Sequence, residues 1–498
     1  MDALHEIEVL IRAKYPILFV STWEERRVES GLQQVASKLQ RTLHTWSVTQ
    51  GLRPPLRSLD AKSGLPGELE VLAQLHEAPE QTVFMLRDFH PYLRDPRVIR
   101  LLRDLSGRLR GKSQTLLLTG PVMTLPTELE KDVTVLEFPL PGPKEIEQQL
   151  SVVINAVRDH PGVQVDLSDE DRELLIKSAQ GLTLDEIESA FARSLVELKR
   201  LSVDRILEEK KQIVRKSGLL EFYPATTTLS DVGGHNLLKD WLEKRRSAFT
   251  DRAKQFGIPA PKGVLLLGVQ GCGKSLVAKG IASSWNLPML KMDVGRIFGS
   301  LVGQSEENIR KAIRVAESVA PCVLWADELE KGFAGVGASG VSDSGTTARV
   351  FATFLTWMQE KTKPVFLIAT ANDVSSLPPE LLRKGRFDEI FFIDLPESEE
   401  RRQIFEIHLS KRKRDPQQYD LDSLVKASKG FSGAEIEQAV VGALYHAFDE
   451  GRELSQADLE LEVNSSVPLS VMMAEEIDEL RNWAKMRARP SADRVGEL

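Results

Sequence analysis

The chain has 498 residues, 42% of them hydrophobic and 28% charged, with 65 basic against 73 acidic side chains and a net charge of -8. That length predicts two to four domains, and that charge argues against bulk binding of nucleic acid or an anionic membrane. Two cysteines, Cys272 and Cys322, with no CxxC spacing, argue against a disulfide framework or a structural zinc site and favour a reducing compartment, the cytoplasm.

The N-terminal stretch MDALHEIEVLIRAKYP carries charges through its apolar positions, unlike a secretory signal, and is not rich in Ser and Arg as a transit peptide would be. The runs PILFV, TVFML and TLLLT in the first half, and VLLLG, CVLWA and VFLIATA in the second, are far shorter than a membrane span. Between helical patterns they predict buried strands of parallel sheets covered on both faces. YPILFVST is followed by WEERRVESGLQQVASKL, which has no glycine run and no Lys-Ser pair, and whose Glu24 and Glu25 would repel phosphate. TVFMLRDF and TLLLTGPVMTLPTELEKDVTVLEFPLPGPKEIEQQL come next, then LIKSAQGLTLDEIESAFARSL, a helical stretch ending at Leu195. Leu and Val at three- and four-residue spacing then predict an exposed, charged helix with one packed stripe, broken at Pro224.

The second half carries chemistry. GVLLLG, from Gly263, predicts a strand running into Gly268-Val269-Gln270-Gly271-Cys272-Gly273-Lys274-Ser275, which opens a helix. This is the G-x-x-x-x-G-K-[ST] pattern. Its glycines let backbone N–H groups turn inward around phosphates, and the helix N-terminus adds a positive partial charge. Lys274 is expected to reach the terminal phosphates and the Ser275 hydroxyl to bind Mg²⁺. Cys272 is either a small residue that the loop tolerates or a thiol with a lowered pKa, open to oxidation. CVLWADELEK ends a strand in acid: Asp327 is placed to hold Mg²⁺, directly or through water, and Glu328 to orient and deprotonate an attacking water. VFLIATAND ends in Asn372, whose amide could hold that water or the terminal phosphate. Arg383 and Arg386, in LPPELLRKGRFDEIFF, lie too far along the chain to reach their own phosphate easily. They are either solvated or reach a neighbour's nucleotide, where such fingers can be worth ~10³–10⁵ in rate. Lys411-Arg412-Lys413-Arg414 reads as a solvated helix end. SVMMAEEIDELRNWAKMR predicts an amphipathic helix with Ile477, Leu480, Trp483 and Ala484 on one face, and ARPSADRVGEL a frayed tail.

From about Leu229 to Leu469 the order and spacing of these motifs resemble the AAA ATPases. LSDVGGHNLLKDWLEKR is similar to the family's opening segment, in which the backbone of Asp231, Val232, Gly233 and Gly234 would cradle adenine. GVQGCGKS resembles the Walker A loop (the P-loop), and VLWADE the Walker B strand. Asn372 matches sensor 1, Arg383 and Arg386 the finger pair. GFSGAEIEQAV resembles the lid helix that brings Gly433 and Ala434 to adenine and ribose. The resemblance implies a P-loop α/β core with a parallel sheet and a helical lid; the C-terminal amphipathic helix, whose polar side is acidic, is expected to pack on the lid or on a neighbouring subunit rather than to bind membrane. It also implies ATP and Mg²⁺ as cofactors, and a homo-oligomeric ring, usually a hexamer, with ATP at the subunit boundary. SDSGTTARVFATFLTWMQEK and LLRKGRFDEIFF further resemble the divergent AAA proteins of cyanobacteria, plastids and other bacteria called hypothetical chloroplast reading frame forty-six. For a plastid-encoded member the compartment would be the stroma. Two positions depart from the AAA pattern. Val269-Gln270 replace the usual Pro-Pro. In the pore loop GSLVGQSEENIRK, with Leu301, Val302 and Gly303, a leucine stands where motor members carry the aromatic that grips a threaded polypeptide, and it offers less area and no flat face. The stretch from Gly332 to Gly345 would be a second pore loop.

The first half repeats the second without its chemistry. LIKSAQGLTLDEIESAFARSL and LVKASKGFSGAEIEQAVVGAL share eight of twenty-one positions without a gap. One such match could be the periodicity of any amphipathic helix; four matches in chain order point to a tandem duplication. On this reading Asp88 stands for Asp327, Phe89 for Glu328 and Gly120 for Asn372. The piece with Lys384, Gly385 and Arg386 is missing from the first copy. The expected organisation is a degenerate AAA-like α/β domain without a phosphate loop at 1–205, a helical linker at 206–226, the ATPase α/β core at 227–396, lid and C-terminal helix at 397–488, and a tail at 489–498. The expected function is Mg²⁺-dependent ATP hydrolysis by a ring that remodels or regulates an unidentified protein partner. The alternative is an ATP-gated binding or scaffold protein with slow or incidental hydrolysis. With no basic stripe, a role on nucleic acid is not expected.

Overall fold

The apolar runs are strands buried along most of their length, as aliphatic runs must be in sheets covered on both faces. A computed structural model describes residues 3–55, 67–76, 78–123, 125–158, 160, 162–224, 227–249, 251–298, 304–332, 344–383 and 385–493. The expected pore-loop residues Leu301, Val302 and Gly303, and all but the ends of the expected second pore loop, lie outside the described residues. The chain divides into two compact units, Met1–Leu207 and Glu208–Leu498.

In the first unit, β1 (Ile17–Ser21), β2 (Thr42–Ser47), β3 (Gly51–Arg53), β4 (Thr82–Leu86), β5 (Gln114–Gly120) and β6 (Val133–Glu137) form one sheet. Its order is β3-β2-β4-β5-β1-β6. In the second unit, β7 (Leu220–Tyr223), β8 (Gly263–Gly268), β9 (Met289–Met292), β10 (Cys322–Ala326), β11 (Val365–Ala371), β12 (Glu389–Ile393) and β13 (Arg489–Pro490) form another. Its order is β13-β12-β8-β11-β10-β9-β7. The parallel run β2-β4-β5-β1-β6 therefore has the same chain order as β9-β10-β11-β8-β12. Both faces of each sheet are covered by apolar helix faces. A lid-like group of helices follows the last parallel core strand of each unit, and first-turn glutamates cap corresponding starts: Glu186 receives Thr183 N–H at 2.9 Å, and Glu435 receives Ser432 N–H at 2.7 Å.

The strand register corrects the residue correspondence read from sequence by one position. β4 pairs with β5 from Thr82–Gln114, and β10 with β11 from Cys322–Val365. Arg87 thus follows its strand as Asp327 does, and Asp88 takes the place of Glu328, both with left-handed backbone (φ 46° and 51°). Phe89 answers to Leu329, both fully buried. Gly120 answers to Ala371, and Pro121 to Asn372. The left-handed residue after each strand fixes this correspondence, one position away from the match of acid to acid.

Three further expectations change. Part of the expected linker, Leu220–Tyr223, is the edge strand β7, antiparallel to β9. The C-terminal helix Ala474–Ala484 packs on the α/β core, with Ile477, Leu480 and Ala484 buried in its two apolar layers and Arg481 paired with Asp394 at 2.9 Å. The tail is not frayed through 493: Arg489–Pro490 add β13 to the free edge of β12, where their backbone finds partners.

Candidate functional site

The end of β8, the following loop and the helix Lys274–Trp285 form one wall of a cavity of about 390 Å³. Gly271 and Gly273 are left-handed (φ 77° and 90°), which lets the loop curl. A Cβ on Gly271 would meet Ser432 Oγ at 2.9 Å, so that glycine also admits the lid helix Gly433–Asp449. Ala434 N–H donates to Gly271 O at 3.0 Å, joining lid and loop.

The strand ends supply the acids. Glu328, Asn372 and Asp327 line the cavity with Ser275. Ser275 Oγ donates to Asp327 Oδ1 at 3.1 Å. Thr370, nearly wholly buried, donates its hydroxyl to the same Asp327 oxygen at 2.7 Å and accepts Glu328 N–H at 2.9 Å. Asn372 Nδ2 lies 3.4 Å from Glu328 Oε1 and donates to Glu330 Oε1 at 3.1 Å, which also accepts Asn372 N–H at 3.0 Å. Burial pushes the Glu330 carboxyl above its ordinary pKa, and its Oε2 is buried without a partner. Lys331 Nζ lies 2.5 Å from Glu328 Oε2.

Lys274 Nζ turns back onto its own loop, donating to Gly268 O at 2.7 Å and Val269 O at 2.8 Å, and burial pulls its pKa down to about 8. Cys272 is buried, which pushes its thiol up to about 12. That favours the small-residue reading over the redox one, because the thiolate is the reactive form. Ser275 and Asp327 bring two hard oxygens together. This fits an ion that takes its remaining ligands from phosphate and water, as Mg²⁺ does.

Asp231, Val232, Gly233, Gly433 and Ala434 also line the cavity, together with Ile404, Ile407, His408 and Glu437. A Cβ on Gly233 would come within 2.7 Å of Ile404 Cγ1, so the first segment lies directly on the lid. The cavity thus gathers Asp231, Val232, Gly233, Gln270 to Ser275, Asp327, Glu328, Asn372, Gly433 and Ala434, with Gly268 and Val269 at the start of the loop. Arg383, exposed, and Arg386, half-buried and donating to Glu380 O, are not among the lining residues. Thr370, Glu330, His235, Ile407 and His408 were not legible as site residues. The spacing of Ile404, Ile407 and His408 on one helix face was the available signal for two of them.

The corresponding place in the first unit is filled by its own side chains. Three residues, Thr22 to Glu24, join β1 to its helix, against five, Val269 to Gly273, after β8. The buried Glu24 carboxylate accepts Leu184 N–H at 2.8 Å, at the start of that unit's lid-like helix. Arg27 bonds Glu24 at 2.6 Å, Glu145 at 2.8 Å and Pro139 O at 2.6 Å, over the Phe138 ring. An acid and a guanidinium hold core to lid where a phosphate loop would need open backbone. Arg87, where Asp327 stands in the second unit, is turned to Glu29 at 2.5 Å.

Comparison with known proteins finds different family models along the chain. A family model described as SpoVK-like AAA ATPase, N-terminal domain, matches residues 3–138, and its second-domain counterpart matches 144–217. The model for the ATPase family associated with various cellular activities (AAA) matches 264–395, and the AAA+ lid domain 418–461. The chain is 41% identical over 500 residues to an AAA domain-containing protein ycf46 of Guillardia theta, covering 97% of this chain and 95% of that one. It is 40% identical to a protein of the same name from Pyropia yezoensis, covering 97% and 98%. ATPase family gene 2 protein homolog A of Homo sapiens is 34% identical over 235 residues, 44% of this chain and 25% of that one.

Proposed function

This chain belongs to the AAA family, among the ycf46 AAA domain-containing proteins, and from that premise we propose that the cavity of the second unit binds ATP with Mg²⁺ and hydrolyses it. In this reading Lys274 leaves its two carbonyls for the terminal phosphates, whose charge favours its protonated form. Ser275 and Asp327 hold Mg²⁺, which when bound offsets phosphate charge and orients the terminal phosphoryl group. Glu328 takes the proton of the attacking water, and Asn372, held by Glu330, positions that water. Asp231, Val232, Gly233, Gly433 and Ala434 hold adenine and ribose. Arg383 and Arg386 act on the nucleotide of a neighbouring copy in a homo-oligomeric ring, and turnover remodels or regulates a protein partner.

The observation that carries this reading is the convergence of loop, strand-end acids and lid start on one cavity. The test is Glu328→Gln, expected to bind ATP and to lose about 10²- to 10⁴-fold in turnover, beside Lys274→Ala, expected to lose binding. Wild-type turnover in Glu328→Gln would overturn the assignment.

One contact favours a second reading, an ATP-gated scaffold with slow hydrolysis. Lys331 pairs with Glu328, so the carboxylate must leave this contact before it can turn to an attacking water. Turnover that does not change on adding any candidate partner, and rises in Lys331→Ala, would favour the scaffold. Partner-stimulated turnover lost in Leu301→Ala would favour the remodeller.

A further inference from the structure

The C-terminal segment reaches the phosphate loop through two side chains. Ser491 Oγ lies 3.1 Å from His235 Nδ1, and His235 Nε2 lies 3.2 Å from Cys272 O. We infer that residues 489–493 are a positioning element of the nucleotide site, acting through Ser491 and His235 on the peptide between Cys272 and Gly273. This rests on the reading of the cavity as an ATP site.

A carbonyl oxygen only accepts, so the imidazole must carry its hydrogen on Nε2. Nδ1 is then bare and accepts the Ser491 hydroxyl. The carbonyl sets the tautomer, and the serine hydroxyl supports it by giving the bare nitrogen a partner and holding the ring in place. Burial of His235 lowers its pKa and keeps the ring neutral, as this arrangement requires. The effect on the site follows from the planar trans peptide, in which the C=O of one residue and the N–H of the next point in opposite directions. Anchoring Cys272 C=O on His235 therefore fixes the plane of this peptide and with it the direction of Gly273 N–H, in a loop whose Gly273 lines the cavity. A phosphate cradle needs that N–H aimed inward.

The segment is docked by its backbone independently of the serine hydroxyl. Ser491 N–H donates to Phe392 O at 3.1 Å, and Ser491 O accepts Leu238 N–H at 3.0 Å. Asn236 and Asp493 exchange two hydrogen bonds, of 3.0 and 3.1 Å. Ser491→Ala therefore removes the link without removing the strand.

The experiment measures the Kd for a fluorescent ATP analogue, with KM, kcat and Tm, on the full chain. Ser491→Ala is expected to raise Kd and KM by about threefold to tenfold, the reach of one hydrogen bond, with kcat at saturating ATP falling less than twofold and Tm kept. A merely structural role would instead lower Tm and the active fraction at unchanged KM. In a His235→Gln background, where an amide can donate to the carbonyl without a tautomer to be set, Ser491→Ala is expected to add nothing. A wild-type Kd in Ser491→Ala overturns the inference while leaving ATP binding intact, and so does the same loss in both backgrounds. A wild-type chain that binds no more of the analogue than Lys274→Ala removes the ATP site, and this inference with it.

Discussion

Thr370 is the residue on which the acid pair turns. Its hydroxyl links Asp327 Oδ1 to Glu328 N–H, and so ties the expected metal ligand to the left-handed residue that carries the expected base. Thr370→Val keeps shape and strand preference while leaving both groups without that partner. It is expected to lower kcat by about tenfold to a hundredfold with ATP affinity changed far less, the reach of the two buried hydrogen bonds it removes; single-turnover hydrolysis beside equilibrium binding would separate the two, and an unchanged kcat would remove Thr370 from the site. Cys272 stands at the opposite extreme. Its sulfur is buried and its thiol is pushed up to about 12. Mild peroxide is therefore expected to leave nucleotide binding unchanged in the wild type and in Cys272→Ser alike. Peroxide-sensitive binding in the wild type alone would restore the redox reading.

Among the elements, the lid-like helices show what the two units share and where they differ. Thr183 and Ser432 start equivalent helices with the same capping box, yet the backbone of Gly271 meets one and the carboxylate of Glu24 the other. Arg27 bridges Glu24 to Glu145 and so holds together the two parts that a nucleotide would otherwise join. Removing the cation leaves Glu24 buried and unpaired. Arg27→Ala is expected to cost the first unit about 2–4 kcal/mol, below the cost of breaking a wholly buried pair because Glu145 is part exposed. Urea denaturation of the full chain would show an earlier loss of that unit, with ATP binding unchanged. A denaturation profile equal to the wild type would mean that the network is solvated and idle.

At the scale of the whole molecule, the arginine segment is where one copy runs out. Arg383 and Arg386 are not among the residues that line the cavity, which suits action on a neighbour. Arg386→Ala is expected to bind ATP and lose turnover by about 10³-fold or more. Mixing it with Glu328→Gln should restore part of the activity, because some interfaces then pair an intact base with an intact finger. No recovery on mixing, in assemblies shown to exchange subunits, would place the arginines' action within one chain. The sequence by itself determined the strands, the phosphate loop, the acids and the repeated strand-and-lid pattern. Apolar runs have few ways to be buried, and the loop's glycines, Lys274 and Ser275 act through local backbone geometry. Only the tertiary structure decided that Asp88 and not Phe89 answers to Glu328, since register is set by pairing between strands distant in the chain. It also decided that Thr370 and Glu330 hold the site residues, and that Arg489–Pro490 close a sheet edge. Each of these is a long-range contact made by a residue whose local pattern is ordinary: a threonine in a strand, an acid after a strand, a polar tail. The first half's lack of a phosphate loop could be read from its residues; that Glu24 and Arg27 fill the space could be read only once both ends of the unit were brought together.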